Sequence, residues 1–399
     1  MPPQAADAPF GATLASMLAT QVAAACVLAA VPVLAPAMAD SIGIDPSLVG
    51  IYSGLLFAAA TVVSAWSGKL IARLGAVRTN QLALASSGLA LLFASGATLP
   101  AVVLAALLVG AGYGPNTPSS SQVLIRVTPP HRRAFTFSLK QSGAPIGAML
   151  AGFMLPAVVI LAGWKMALVV AFALAAITAL AVEPLRRRFD VGERSSLSSE
   201  RTSGLASMRF VLEDSRLRRL VAGGVALMVV HACFQSLFVA YLVEHVALSL
   251  AVAGALYASM QASGAVARVA IGWSVDRLRN ARVILAAIAI IALVSAAIVA
   301  AFDSRWAASA MWIVCLFVGI GSSGWYGAFL SEVARAVPIE RAGFATGGVL
   351  FFLYAAHVVA PMVAALLVAV TGSYVPVFTA VALLAGIAAV NFGRIEPGA

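Results

Sequence analysis

Apolar residues run along this chain in blocks of about 20, the length a helix needs to cross the hydrocarbon core of a bilayer. Twelve blocks are delimited, at residues 11–37, 47–67, 80–98, 101–127, 134–161, 163–183, 219–244, 250–271, 283–302, 306–334, 342–371 and 373–393. An all-α membrane protein of twelve spans is predicted. Polar residues inside such spans are costly and normally face a bundle interior or water, so they carry the functional information. Spans 6 and 9 are almost wholly Ala, Val, Ile and Leu, and spans 3 and 12 nearly so, as expected of outer supports. Spans 1, 4, 5, 7, 8, 10 and 11 hold Gln21, Asn116, Lys140, His231, Gln235, Gln261, Arg268, Glu332 and His357, and are expected to line a cavity.

Composition agrees with lipid as the solvent. The chain is 62% hydrophobic and only 10% charged, against about 25% charged in globular proteins. Its net charge of +10 is spread over short loops, which favours membrane orientation over nucleic-acid binding. Lys165 and Arg305 fall in loops on one side, and nearly all other Lys and Arg fall on the opposite side. The positive-inside bias makes that side cytoplasmic, with both termini on it. Residues 1–10 carry no basic region typical of a cleaved signal, so the first helix is expected to stay. Cys26, Cys233 and Cys315 lack paired spacing and suggest neither a disulfide framework nor a zinc site.

A basic loop recurs. Gly68-Lys-Leu-Ile-Ala72-Arg73-Leu-Gly75-Ala-Val-Arg78 is echoed by Gly272-Trp-Ser-Val-Asp276-Arg277-Leu-Arg279-Asn-Ala-Arg282, 204 residues later. Gly110-Ala-Gly112 is likewise echoed by Gly319-Ile-Gly321, and Arg126 by Arg335. The expected organisation is therefore a six-helix bundle over 1–183, a cytoplasmic linker over 184–218 and a second bundle over 219–399. In these loops the chain resembles the major facilitator superfamily, whose pattern between spans 2 and 3 is G-x-x-x-D-R-x-G-R, with a weaker copy between spans 8 and 9. The resemblance implies two bundles that alternate access to a midplane site between them. It also implies a gating role for Gly68, Arg73, Gly75, Arg78, Gly272, Asp276 and Arg277. Ala72 stands where the family carries an acidic latch residue, which favours a weakened latch in the first half.

On span 8, Tyr257, Gln261, Gly264, Arg268 and Gly272 recur at helical spacing and share one face. Arg268 offers a planar fork suited to a carboxylate; snorkelling or an ion pair with Glu332 is the simpler alternative. R-x-x-x-G entering this loop is similar to monocarboxylate transporters and the oxalate/formate exchanger, where such an Arg meets the substrate carboxylate. Monocarboxylate transporters also place an Asp one turn earlier as proton carrier, where this chain has Gly264. In span 5, Gly143, Pro145 and Gly147 resemble the motif of superfamily antiporters, although small residues at this spacing are packing elements first. Lys140 either sits over the cavity or snorkels. His231 with Gln235, Tyr354 with His357, and Ser322 with Ser323 and Tyr326 form further polar groups, readable as substrate contacts or as glue between helices. Glu332 is expected in a gate ion pair, with Arg126 or Arg268.

No ATP-binding loop, metalloprotease motif or nucleophile set occurs, and no cofactor is implied, so an enzyme is not expected. The expected function is secondary transport of a small organic anion, in the simplest case a monocarboxylate, with protons, by a monomer in a bacterial-type inner membrane. Proton-driven efflux of a hydrophobic or cationic compound is the alternative, and a non-transporting sensor a remote one.

Overall fold

The computed structural model describes residues 10–129, 132–190, 204–278 and 281–394, and every regular element among them is helical. The chain divides into two compact units, Met1–Ser198 and Ser199–Ala399. The first contains α1 (Phe10–Ile42), α2 (Val49–Leu74), α3 (Ala76–Ala94), α4 (Leu99–Tyr113), α5 (Asn116–Val127), α6 (Arg133–Gln141), α7 (Gly143–Ala181) and α8 (Glu183–Phe189). The second contains α9 (Gly204–Glu213), α10 (Ser215–Glu244), α11 (Leu250–Leu278), α12 (Ala281–Ala300), α13 (Ala308–Ser323), α14 (Tyr326–Arg335), α15 (Ile339–Thr371) and α16 (Val375–Gly393).

Among the described residues, ten stretches are long and apolar enough to cross a membrane. Two features separate this number from the twelve blocks of the sequence. Phe135–Ala181 counts as one stretch of 47 residues, but its helix breaks at Gly163, whose φ of 81° and ψ of 165° are non-helical and would strain a side chain. Helix α3 is not among the ten, because its first turns carry Arg78, Thr79, Asn80 and Gln81. With so many apolar helices, this is a multi-pass membrane protein.

Glycines set the closest helix contacts, and they do so twice. A Cβ at Gly110 of α4 would strike the Leu56 carbonyl of α2; one at Gly319 of α13 would strike the Met260 carbonyl of α11. One at Gly112 would meet Ala83 and Ser87 of α3, and one at Gly321 would meet Ala292 of α12. Small residues let apolar helices approach without a hydrophobic driving force between them. The Gly-x-Gly repeat of the sequence is therefore a repeat of backbone contacts. Each of these helices also breaks at the same place: α4 gives way to α5 at Gly114 and Pro115, and α13 to α14 at Gly324 and Trp325.

The stretch 184–218 contains regular structure. Helix α8 packs on α3 with Phe189 buried beneath it, and α9 packs on α15, where Gly348 admits the Ser207 carbonyl. Helix α10 begins at Ser215, capped by the Asp214 carboxylate, which accepts from the Arg216 and Leu217 N–H groups.

Candidate functional site

In the second unit the break after α13 creates the central contact. The last carbonyls of a helix have no intrahelical donor, and here side chains supply them. The Trp325 indole donates to the Ser322 carbonyl at 3.0 Å, and Arg268 Nε of α11 donates to the Ser323 carbonyl at 3.0 Å. A cation is favoured at this negative helix end. The approach depends on Gly264, where a Cβ would lie 2.8 Å from Ser323 Cβ. Gly264 is thus a packing position, with no room for the carboxylate that monocarboxylate transporters place there.

Histidines complete the cluster. His231 Nδ1 of α10 lies 3.4 Å from Ser323 Oγ. Its ring meets that of His357 on α15 edge to face, with centroids 5.7 Å apart and planes at 86°. Pro361, one turn after His357, supplies no N–H to the His357 carbonyl. Tyr354, on the same helix, hydrogen-bonds Tyr326 of α14. Gln261 donates to the Tyr257 hydroxyl at 2.9 Å, both buried; they lie about two and three turns along α11 from Arg268. Gln235 keeps its amide oxygen buried without a hydrogen-bond partner. The structure therefore brings Arg268 and His231 to Ser323, sets His357 against His231, pairs Tyr326 with Tyr354, and sets Gln261 with Tyr257 apart.

Polar groups of the first unit form a second cluster. Lys140, fully buried, donates from Nζ to Thr117 Oγ1 and Gln141 Oε1, each at 3.3 Å. Gln21 of α1 donates to the Tyr113 hydroxyl at 3.3 Å and packs against Gly143. Asn116 is tied to Asn80 of α3 at 3.0 Å, and Asn80 in turn to Thr20 at 3.2 Å. The buried oxygens Gln21 Oε1 and Asn116 Oδ1 have no hydrogen-bond partner. Gly143, Pro145 and Gly147 are buried, and a Cβ at Gly147 would strike the Val22 carbonyl of α1. That stripe is a packing surface.

The loop residues lie at the ends of α2 and α11 and at the start of α3. Gly68 and Gly272 border open space, Arg73 is exposed, and Gly75 joins α2 to α3 at φ 90°. The side chains of Asp276 and Arg277 lie outside the described residues. Glu332 pairs with Arg216 at 2.8 Å, in place of the partners Arg126 or Arg268; Arg216 stands at the start of α10, which the sequence reading assigned to the linker. Arg126 Nη1 instead donates to the Phe189 carbonyl at 3.1 Å.

Asp190 was missed by sequence reasoning. It follows α8, and its carboxylate accepts from the Val77 N–H at 2.9 Å and the Arg78 N–H at 2.8 Å, capping α3 over Gly75. The carboxylate at this loop is therefore supplied from beyond α8, while Ala72 is exposed. Burial pushes the Asp190 carboxyl up from its ordinary range; the two N–H bonds, Arg186 and Arg126 pull it partly back. The gap at Ala72 was the one sequence signal that another acid was needed.

The sequence family described as Major Facilitator Superfamily matches residues 12–361. The chain belongs to that superfamily. No curated protein sequence matches it. Among solved structures, a mutant of the nucleoside transporter NupG is similar at TM-score 0.76 and 16% identity, covering 96% of this chain and 100% of that one. A bacterial homologue of the human lysosomal transporter Spinster, inward-facing and unoccupied, gives 0.73 and 14%, covering 97% of each chain. The Escherichia coli fucose:proton symporter FucP, also a mutant, gives 0.63 and 15%, covering 98% and 100%. At such identities the likeness is one of fold. The superfamily assignment makes the protein a membrane transporter rather than an enzyme.

Proposed function

We propose that this superfamily member is a secondary transporter of a small organic anion, in the simplest case a monocarboxylate, carried together with a proton by alternating access. It works as a monomer of twelve spans with both termini on the cytoplasmic side of a bacterial-type inner membrane. The observation that carries the reading is Lys140: a buried amine whose hydrogen-bond partners among the described residues are the neutral oxygens of Thr117 and Gln141. A buried charge without a counter-charge costs several kcal/mol, which an incoming anion offsets. Arg268 adds a second cation on the Ser323 carbonyl, while Glu332, near the end of α14, already pairs with Arg216. The stripe that pointed to efflux is taken up by packing against α1, so the anion reading stands first.

Equilibrium binding of sodium carboxylates (acetate, lactate, benzoate and succinate) to purified protein tests it. Arg268→Ala is expected to weaken the best of them by about 2–5 kcal/mol, roughly 30- to 5000-fold, and Arg268→Lys to lose the two-point contact while keeping the charge. A folded Arg268→Ala protein that binds within about threefold of wild type, on the same scale, would remove the anion assignment from Arg268.

A further inference from the structure

Two imidazoles in edge-to-face contact, on two different helices, beside a guanidinium, form a group that the anion reading leaves without a role. We infer that the His231–His357 pair is the proton-binding element of the transport cycle, and that Arg268 makes its protonation depend on the substrate anion; this rests on the anion reading above. The geometry limits the pair to one proton. With centroids 5.7 Å apart and planes at 86°, a proton on one ring lies within the range at which a cation is held by the other's π-face. A second proton would set two like charges at that same separation.

Arg268 supplies the coupling. His231 and Arg268 meet at one residue, Ser323, through its hydroxyl and its carbonyl, so the guanidinium repels a proton on the pair. A carboxylate docked on Arg268 cancels that repulsion. Anion and proton then favour each other's binding, and the coupling is reciprocal. The proton comes from water to an imidazole nitrogen and returns to water when the anion leaves; no other bond forms or breaks.

Few other groups compete. Among the described residues, the titratable side chains on the spans packed around the pair are Arg268 and Tyr257 on α11, Cys315 on α13, Tyr326, Glu332 and Arg335 on α14, and Tyr354 on α15, with Cys233 and Tyr241 on α10 itself; Arg216, Arg218, Arg219 and Glu244 stand at the ends of α10. Helix α16 carries none. Glu332 is held by Arg216, Tyr241 donates to the Val299 carbonyl, and Arg209 and Glu213 on α9 pair with each other at 2.6 Å.

The test is the pH dependence of binding of the same carboxylate panel to the full-length protein. If one proton accompanies the anion, affinity rises about tenfold for each unit that pH falls below the range where the anion-bound pair takes its proton. His357→Gln and His231→Asn, which place amides where the ring nitrogens stand, should each flatten that slope while binding persists. Titration in buffers of different ionisation enthalpy should show uptake of about one proton per anion in wild type and close to none in either variant. A flat wild-type profile, or a slope unchanged in both histidine variants, overturns the inference and leaves the anion reading intact. A slope that survives both and disappears on Lys140→Met also overturns it, by moving the proton to the first unit. If no carboxylate of the panel binds wild type at any pH, the anion reading fails and the inference falls with it.

Discussion

Asp190→Ala should loosen the first turn of α3 without touching either polar cluster. The Asp190 carboxylate holds two amides, Val77 at 2.9 Å and Arg78 at 2.8 Å, that no helical carbonyl reaches. Losing a helix N-cap costs about 0.5–2 kcal/mol, and hydrogen bonds to a charged acceptor lie toward the upper part of that range. A local loss of about 1–2 kcal/mol corresponds to roughly 5- to 30-fold faster exchange of those amides. Hydrogen–deuterium exchange with peptide mass spectrometry reads this directly, with peptides over residues 76–84 as the probe and the start of α12 as an unchanged control. Asp190→Asn should fall between, because one amide oxygen replaces two acceptors. Gly75→Ala should act like Asp190→Ala: its φ is 90°, and a Cβ there would collide with the Asp190 side chain. Acid is not an equivalent perturbation. Burial raises the Asp190 carboxyl, so the folded unit binds this proton more readily than the unfolded chain. Stability at this group is therefore present at low pH and lost as pH rises through the raised value. Exchange over 76–84 that stays within about twofold of wild type in both Asp190→Ala and Gly75→Ala would show that the cap does not hold α3.

Gly110→Ala and Gly319→Ala should each lower thermal stability in detergent by the equivalent of about 1–3 kcal/mol or more, since each adds a methyl against a neighbouring carbonyl. Gly68→Ala and Gly272→Ala, which border open space, should be tolerated in the same melting assay. With the buried cysteines Cys26, Cys233 and Cys315 replaced, a single cysteine at the exposed Ser304 should react with an impermeant thiol reagent in intact cells. Cysteines at Ser199 and Ala399, both outside the described residues, should be shielded, and labelling at Ser199 would invert the orientation.

Much of the scaffold was legible because its cause is local. A run of apolar residues reports a span wherever it occurs, and two Gly-x-Gly copies report two close helix approaches. The sites were legible only as residue types. Sequence spacing placed Arg268, Gly264 and Gln261 on one face of α11, but it could not show that Ser323, 55 residues on, would accept from Arg268. Nor could it show that Gly264 is small because Ser323 is there. The pair Glu332–Arg216 spans 116 residues and the cap of Val77 by Asp190 spans 113. Such partners follow from how helices pack, which no periodicity within one helix encodes. Asn116 reads in sequence as a cavity residue, and the structure adds that it ties α5 to Asn80 and through it to Thr20.

The two units share packing and differ in chemistry, and there is a physical reason for the division. A glycine against a backbone carbonyl has no substitute of similar size, so the contacts of Gly110 and Gly319 persist as a matched pair. A polar side chain pointing away from such a contact is under no equivalent constraint. Where the first unit carries a buried lysine among amides and hydroxyls, the second carries an arginine and a histidine at a serine, with a second histidine against the first. Holding an anion and carrying a proton are different tasks. An ammonium or guanidinium can hold an anion, but only a group that gains and loses its proton can tie that anion to a gradient. In the reading proposed here, duplication supplied the frame, and divergence between its halves separated substrate recognition from proton coupling.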